Sequence, residues 1–403
     1  MFISRLLTSV RVYAPRLTWL PLLIMAPLIA NGQTPCTGVT AATVAPPFNA
    51  SYSCVGLGGV PGVPASYGGL TLKYDDPNVL LIGGAANGST GAIYQIGVVR
   101  DAATKHITGF SGTATLYPSA GSTLGQNNDG GVIFGPGNVL FTTGFPINQL
   151  FESKPGSAAP DKTIDLTPLG IGSSVGSVAF VPNGFPGAGQ MKIVSYSAST
   201  WYSTTIAPDA NGTYDVTSAT SITPVGTGPE GIAFVPLNSP VFAPGSFNAL
   251  VALFGSGKVV TFQLDLNGDP VPASSRDFIT GLSGAEGAFI DTLTGDFLFS
   301  TFGGSAQVIR VGGFLAPTAA PVTISGRVLS ARASGLRNTR VALTDEHGAT
   351  RTAVTNTFGY FSFNGVPTGE RLVLSASAKG YRFSPRAITL HDSLTDLQVI
   401  AAP

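Results

Sequence analysis

The chain has 403 residues, 43% of them hydrophobic and only 10% charged, with 52 glycines, 30 prolines and a formal net charge of zero. Ordinary soluble domains carry about 25% charge, so Ser and Thr supply most of the polarity here, and glycine and proline recur too often for long helices. Two cysteines exclude a site built from four soft metal ligands. The charge divides unevenly: Gln33 to Ala320 holds nine basic and sixteen acidic residues, whereas Pro321 onward holds nine basic and five acidic. An acidic large region excludes a nucleic-acid footprint.

At the N-terminus, Arg5, Arg11 and Arg16 make a basic leader before an apolar run, Leu17 to Ala30, interrupted by Pro21 and Pro27. As a helix the run would reach roughly 21 Å against a hydrocarbon core of about 30 Å, so it reads as an export signal. Ala30-Asn-Gly32 offers a small-x-small cleavage site, making 1–32 a signal peptide and Gln33 the mature start. The alternative is an uncleaved anchor. No later stretch is long and apolar enough to cross a membrane, and Cys36 lacks the context of a lipoprotein site. In an oxidising compartment Cys36 and Cys54 are expected to form a disulfide that pins a loose N-terminal arm.

From Gln33 to Phe314 a weak repeat recurs at roughly fifty residues, the period of a propeller blade. Its openings are Gly68-Gly-Leu-Thr-Leu-Lys73, Asp129-Gly-Gly-Val-Ile-Phe134, Val175-Gly-Ser-Val-Ala-Phe180, Glu230-Gly-Ile-Ala-Phe234 and Glu286-Gly-Ala-Phe-Ile290. Most continue into a turn and a second apolar run, such as Asn78 to Ile82, Asn138 to Thr142, Leu250 to Phe254 and Asp296 to Ser300. Short strands at this spacing predict a five- or six-bladed β-propeller, since one blade cannot bury both faces alone. Two stacked sandwiches are the competing architecture. The last unit has three strands, so the segment near Ala50 to Leu57 is expected to close the ring as its outer strand.

After an Ala/Pro linker at 315–321, the tail 322–403 alternates apolar residues with a turn every eight to twelve positions, as a small β-sandwich does. Val341 and Leu343, Phe361 and Phe363, Leu372 and Leu374, and Ile324 and Val328 each share one side of a pleated strand. Ser325-Gly-Arg-Val328, Gly335 to Val341, Phe358-Gly-Tyr-Phe361, Val366-Pro-Thr-Gly369 and Gly380-Tyr381 resemble the carboxypeptidase regulatory-like domain. That resemblance implies a seven-stranded prealbumin-type sandwich at the end of a secreted protein. It implies no peptidase, and no His-Glu-x-x-His motif occurs.

Gly228-Pro-Glu-Gly-Ile-Ala-Phe234 and the Asp129 opening resemble secreted NHL-type or lactonase-like propellers. Thr294 to Gly304, with Tyr196 to Trp201, resembles a group of exported bacterial proteins of unassigned activity. In lactonase-like propellers a channel metal activates water and polarises a carbonyl. The chain departs from that pattern, with Tyr67 and Val175 at two of the five equivalent places and no evident Asn and Asp partners.

Asp129, Glu230 and Glu286 precede the glycine in three repeats, so a propeller would converge them on its axis. They are the candidate metal ligands, and their hard oxygens suit Ca²⁺ or Mg²⁺. The plainer reading has them bonded to backbone N–H groups of neighbouring strand starts. Other chemistry is thin. His106 is the one histidine of the large region, His347 and His391 lie in the tail, and no Gly-x-Ser-x-Gly elbow accompanies them. Asp265-Leu-Asn267-Gly-Asp269, Asp209-Ala-Asn-Gly-Thr213 and Thr292-Leu-Thr-Gly-Asp296 read as polar turns, the first lacking the glutamate of an EF-hand. Tyr196, Trp201 and Tyr202 are candidates to stack on sugar rings, or else to pack a blade edge.

The sequence therefore predicts an exported all-β protein, a propeller followed by a sandwich. The expected role is non-catalytic binding or scaffolding at the cell exterior, with a glycan or envelope protein as partner. A metal-dependent hydrolase is the alternative.

Overall fold

A computed structural model of the chain describes residues 32–303, 306–315, 322–345, 349–366, 371–389 and 394–402. The apolar leader, linker residues 316–321, both tail histidines and Pro367 to Gly369 lie outside them.

Five antiparallel blades of four strands each are present among the described residues, the fourth extended to a six-stranded sheet by Thr34–Pro35 and Thr43–Val44. The first blade comprises Leu70–Lys73, Asp76–Gly84, Ala92–Arg100 and Ile107–Leu116. The second comprises Asn128–Phe134, Leu140–Gly144, Gln149–Ser153 and Lys162–Asp165. Val175–Phe180, Met191–Ser195, Thr200–Pro208 and Tyr214–Pro224 form the third. The fourth is Pro229–Phe234, Asn248–Leu253, Lys258–Gln263 and Arg276–Thr280. Ala285–Ile290, Phe297–Thr301 and Val308–Gly312 begin the fifth, and Ser53–Gly58 completes it.

The innermost strand of each blade lies against that of the next, and the fifth lies against the first, so the ring closes at five. No sixth blade exists among the described residues. The closing strand runs antiparallel to Val308–Gly312, pairing Val311 with Cys54 and Arg310 with Val55. This is the role expected of the segment near Ala50 to Leu57.

A blade in such a ring is covered on both faces, so its strands read as continuous apolar runs rather than alternating ones. Leu80, Leu81 and Ile82 are accordingly all fully buried. Leu80 and Ile82 pack towards Phe289 and Leu298 of the fifth blade, while Leu81 packs towards Val132 and Leu140 of the second. Separate clusters fill the remaining gaps. Phe141 and Ile193 join blades two and three, Trp201 and Val251 join three and four, and Leu250 and Phe297 join four and five.

The N-terminal arm works as a strap. Thr43–Val44 pairs with Ile279 and Thr280 on the edge of the fourth blade, and the chain then crosses to the fifth as its outer strand. Phe48 and Tyr52 anchor the crossing among Phe242, Phe278 and Phe314. Cys36 and Cys54 are disulfide-bonded, which ties the arm to the closing strand. A loop of this length gives a chain-entropy stabilisation of about 3 kcal/mol. Replacing both cysteines by serine is therefore expected to lower the unfolding free energy by up to that amount, measured by equilibrium denaturant unfolding.

Among the described residues, the tail holds seven strands in two sheets. One has three strands, with Val322–Leu329 between Tyr360–Val366 and a parallel Leu394–Ile400. The other orders Thr350–Val354, Arg340–Thr344, Arg371–Ser377 and Arg386–Thr389. Ile324, Val328, Val341, Leu343, Phe361, Phe363, Leu372 and Leu374 form its core, as the pleat pairs required.

Candidate functional site

The recurring glycine of the repeat has a steric cause. Gly68, Gly130, Gly176, Gly231 and Gly287 bring five innermost strands together at the axis, and a Cβ on any of them would meet a neighbouring blade. At Gly130 it would lie 1.8 Å from the Glu230 carbonyl oxygen, and at Gly176 2.0 Å from that of Pro229. Main-chain atoms thus close the axis. Cross-blade hydrogen bonds accompany them: Gly69 N donates to Asp129 O at 2.8 Å, and Thr143 Oγ1 to Gly176 O at 2.9 Å.

The residue before the glycine points into this closed region. Asp129, Glu230 and Glu286 are 0%, 2% and 1% exposed, and one carboxylate oxygen of each lies within 4.8 Å of the others. Glu230 Oε2 sits between blades two and three, 2.9 Å from where a Cβ on Gly130 or Gly176 would be. Asp129 Oδ2, Glu230 Oε2 and Glu286 Oε2 are buried without a hydrogen-bond partner. Backbone hydrogen bonds from Gly130 reach the Asp129 and Glu230 carboxyls, as the plainer reading expects, but these three oxygens have no such partner. With its amide nitrogen turned towards acceptors, Asn87 donates to Asp129 Oδ1 at 3.0 Å.

Burial holds the proton affinity of all three carboxyls well above the usual carboxylate range. For Glu230 the charges of Asp129 and Glu286 add to that effect, and for Glu286 the charge of Asp129 does. The two remaining places of the ring carry no charge. Tyr67 is buried and accepts a hydrogen bond from Val60 N at 2.7 Å, and Val175 belongs to the core between blades two and three.

An aromatic collar borders the carboxylates. Phe145, Tyr196, Phe254 and Phe302 follow the second strands of blades two to five, and successive ring centroids are 5.9, 5.9 and 5.8 Å apart, all edge-to-face. All four are half-buried, and Ala85 occupies the matching position of the first blade. The Tyr196 hydroxyl is held above its ordinary pKa by burial and then by the charges of Glu230, Asp129 and Glu286. Sequence reasoning missed this collar. Its signal was present as Gly144-Phe145, Ser195-Tyr196, Leu253-Phe254 and Thr301-Phe302, one aromatic directly after the second strand of four blades.

In the tail, every strand of a seven-stranded sandwich is in place around the core expected from its pleat pairs. Residues 323–401 match the family model of the carboxypeptidase regulatory-like domain. The carboxypeptidase regulatory-like domain carries exposed Arg332, Arg337 and Arg340, and a half-buried Arg327 whose guanidinium lies 5.2 Å from the Tyr360 ring centroid. Gly359, in the resembling motif, adopts φ +88° and approaches Val328 O and Leu336 N too closely for a Cβ.

No curated protein matches the chain in sequence. Among solved structures, the chain is similar to the PQQ domain of pyranose dehydrogenase from Coprinopsis cinerea, at 12% identity and a TM-score of 0.37, over 69% of this chain and 99% of that one. It is similar to an exo-beta-1,3-galactanase from Phanerochaete chrysosporium, at 12% identity and a TM-score of 0.40, over 85% and 95%. A putative 6-phosphogluconolactonase from Bacteroides uniformis aligns at 15% identity and a TM-score of 0.34, over 75% and 87%.

The structure moves two of the sugar-stacking candidates into the core. Trp201 is fully buried, with Nε1 donating to Asp269 Oδ1 at 2.9 Å, and Tyr202 is 5% exposed with its hydroxyl accepting from Gly172 N at 3.1 Å. Neither offers a ring face to a sugar. Tyr196 packs between Phe145 and Phe254.

The three polar turns are fasteners between blades. Asp265 Oδ1 accepts from Asn267 N at 2.8 Å and from Asp269 N at 3.0 Å, and Asp269 then pairs with Lys192 of the third blade. Asp209 of the third blade pairs with Lys162 of the second, which holds the Asp209 carboxyl well below the usual carboxylate range. In the fifth blade, Asp291 pairs with Arg100 at 2.6 Å and Asp296 with His106 at 2.7 Å, both partners belonging to the first-blade hairpin. His106 thus has a structural partner rather than a nucleophile beside it. Glu152, also buried, accepts from Tyr214 N at 2.8 Å, and burial pushes its carboxyl up to about 7.

The far ends of three innermost strands line a separate pocket of about 230 Å³. Its walls include Tyr74 and Phe134, whose rings meet edge-to-face at 5.1 Å, together with Phe289, Lys73, Thr71 and Asn138.

Proposed function

We propose that the chain is exported, with 1–32 as its signal peptide, and acts as a non-catalytic binding or scaffold protein of the cell exterior. In this reading 33–314 is the binding platform, 315–321 a linker and 322–403 a tail module. The disulfide and the lack of any helix, among the described residues, long and apolar enough to cross a membrane are consistent with it. The burial of Asp129, Glu230 and Glu286 carries the non-catalytic part. A hydrolase must bring water and a scissile carbonyl to its metal and base. Here main chain from several blades covers those carboxylates.

The ligand surface in this proposal is the pocket at the opposite end of the innermost strands. Tyr74 and Phe134 offer flat apolar faces, while Thr71, Lys73 and Asn138 offer polar groups beside them. That combination suits a sugar ring or an aromatic side chain of an envelope protein. The competing reading, a metal-dependent lactonase-like hydrolase, is favoured by the closeness of the three carboxylates.

Binding of the full chain to a glycan array and to envelope proteins, repeated with Tyr74→Ala, tests the proposal. The expected result is binding that Tyr74→Ala weakens on the order of tenfold. Turnover of a lactone or ester that Glu230→Gln abolishes would overturn it in favour of the hydrolase.

A further inference from the structure

We propose that Asp129, Glu230 and Glu286 hold one Ca²⁺ ion, which bolts blades two, four and five together across the axis. Two separate observations lead there. The three carboxylates come from the same register position of three blades and bring one oxygen each within 4.8 Å of the others. Independently, Asp129 Oδ2, Glu230 Oε2 and Glu286 Oε2 are buried with no donor from outside the trio, and only a proton shared between the Asp129 and Glu230 carboxyls could link two of the three side chains. A buried anionic oxygen with no donor is strongly unfavourable unless it is neutralised or coordinated.

Protons answer this need only in part. A shared proton bridges two oxygens, whereas three orphaned oxygens around a point are satisfied at once by a central cation. No basic side chain supplies that charge: among the described residues, none of the ion pairs reaches the trio.

The oxygens also select the ion. An all-carboxylate donor set is hard, which favours Ca²⁺ or Mg²⁺ over softer metals. The three oxygens lie within 4.8 Å of one another, close enough to share one such ion. Mg²⁺ retains several waters, which suits a site open to solvent better than one closed by main chain.

The bolt would be structural, so the inference stands whether or not the protein is catalytic. Elemental analysis of the full chain, purified without chelator, is expected to find about one calcium per chain. Chelation is expected to lower Tm by at least about 5 °C, with recovery on adding CaCl₂ but not MgCl₂. In Glu230→Gln and Glu286→Gln the calcium-dependent shift should vanish, each neutral amide removing one charged ligand while keeping the side-chain shape. Metal-free protein whose Tm is the same in chelator and in CaCl₂ would overturn the proposal. A calcium shift surviving in both variants, or recovery by Mg²⁺ alone, would do so too. Should either variant fail to fold, the wild-type metal content and Tm decide the matter.

Discussion

Replacing Lys192 with methionine is expected to destabilise the protein by about 3–5 kcal/mol, because it strands a charge between two blades. Lys192 is fully buried, and its ammonium donates to Gln190 Oε1, Ser203 Oγ, Asn267 O and Asp269 Oδ1 at 2.7 to 2.9 Å. Asp269 is itself 4% exposed and belongs to the next blade. Removing the cation leaves a buried carboxylate with two neutral donors, Trp201 Nε1 and Ser203 Oγ. Methionine preserves most of the volume, so the loss reports the charge rather than a cavity. Adding Asp269→Asn to Lys192→Met should recover more than half of the lost stability, since neither member is then a lone ion. Denaturant midpoints of the two single variants and the double variant measure this. A single-variant loss below about 1 kcal/mol would show that the pair does not fasten the blades.

The second large effect is expected at the axis. Gly130→Ala places a methyl group 1.8 Å from the Glu230 carbonyl oxygen and 2.9 Å from Glu230 Oε2. The nearer obstacle is main chain, not a side-chain end that could swing away. The carbonyl belongs to the innermost strand of the fourth blade, which is packed in turn against the fifth. Relief requires blades to separate, with a loss of about 4 kcal/mol or more, or failure to fold. Gly109→Ala is the control: it also lies in a strand, yet a Cβ there meets nothing within 4 Å. Its unfolding free energy should stay within about 0.5 kcal/mol of wild type. Equal stability of the two variants would mean that the axis is not closed by main-chain contact.

Much of the architecture was legible because propeller blades repeat their burial. The glycine before each apolar opening, the second runs such as Asn78 to Ile82 and the short fifth unit all led to strands that the structure contains. The outer strands were harder to see. Ile107–Leu116 and Tyr214–Pro224 have half-exposed edges and alternate Ser, Thr and Gly with scattered apolar residues, so no continuous apolar run marks them. Trp201 and Tyr202 were left between two readings for the converse reason. Their neighbours are Ser and Thr, but cross-strand pairing with Val194 and Ile193 turns the rings inward.

The sequence by itself determined the all-β class, the repeat period, the pairing of Cys36 with Cys54, the closing role of the N-terminal arm and the register of the tail sandwich. These follow from local patterns, because strand alternation, turn glycines and the covalent options of two cysteines are written along the chain. Only the tertiary structure decided the number of blades, the closure of the axis and the state of the three acids. A residue's neighbours across a ring depend on how many blades share it and how near their backbones come. Spacing placed Asp129, Glu230 and Glu286 in one register, but burial and the missing donors, which turn that register into a candidate cation site, arise only when all five blades meet.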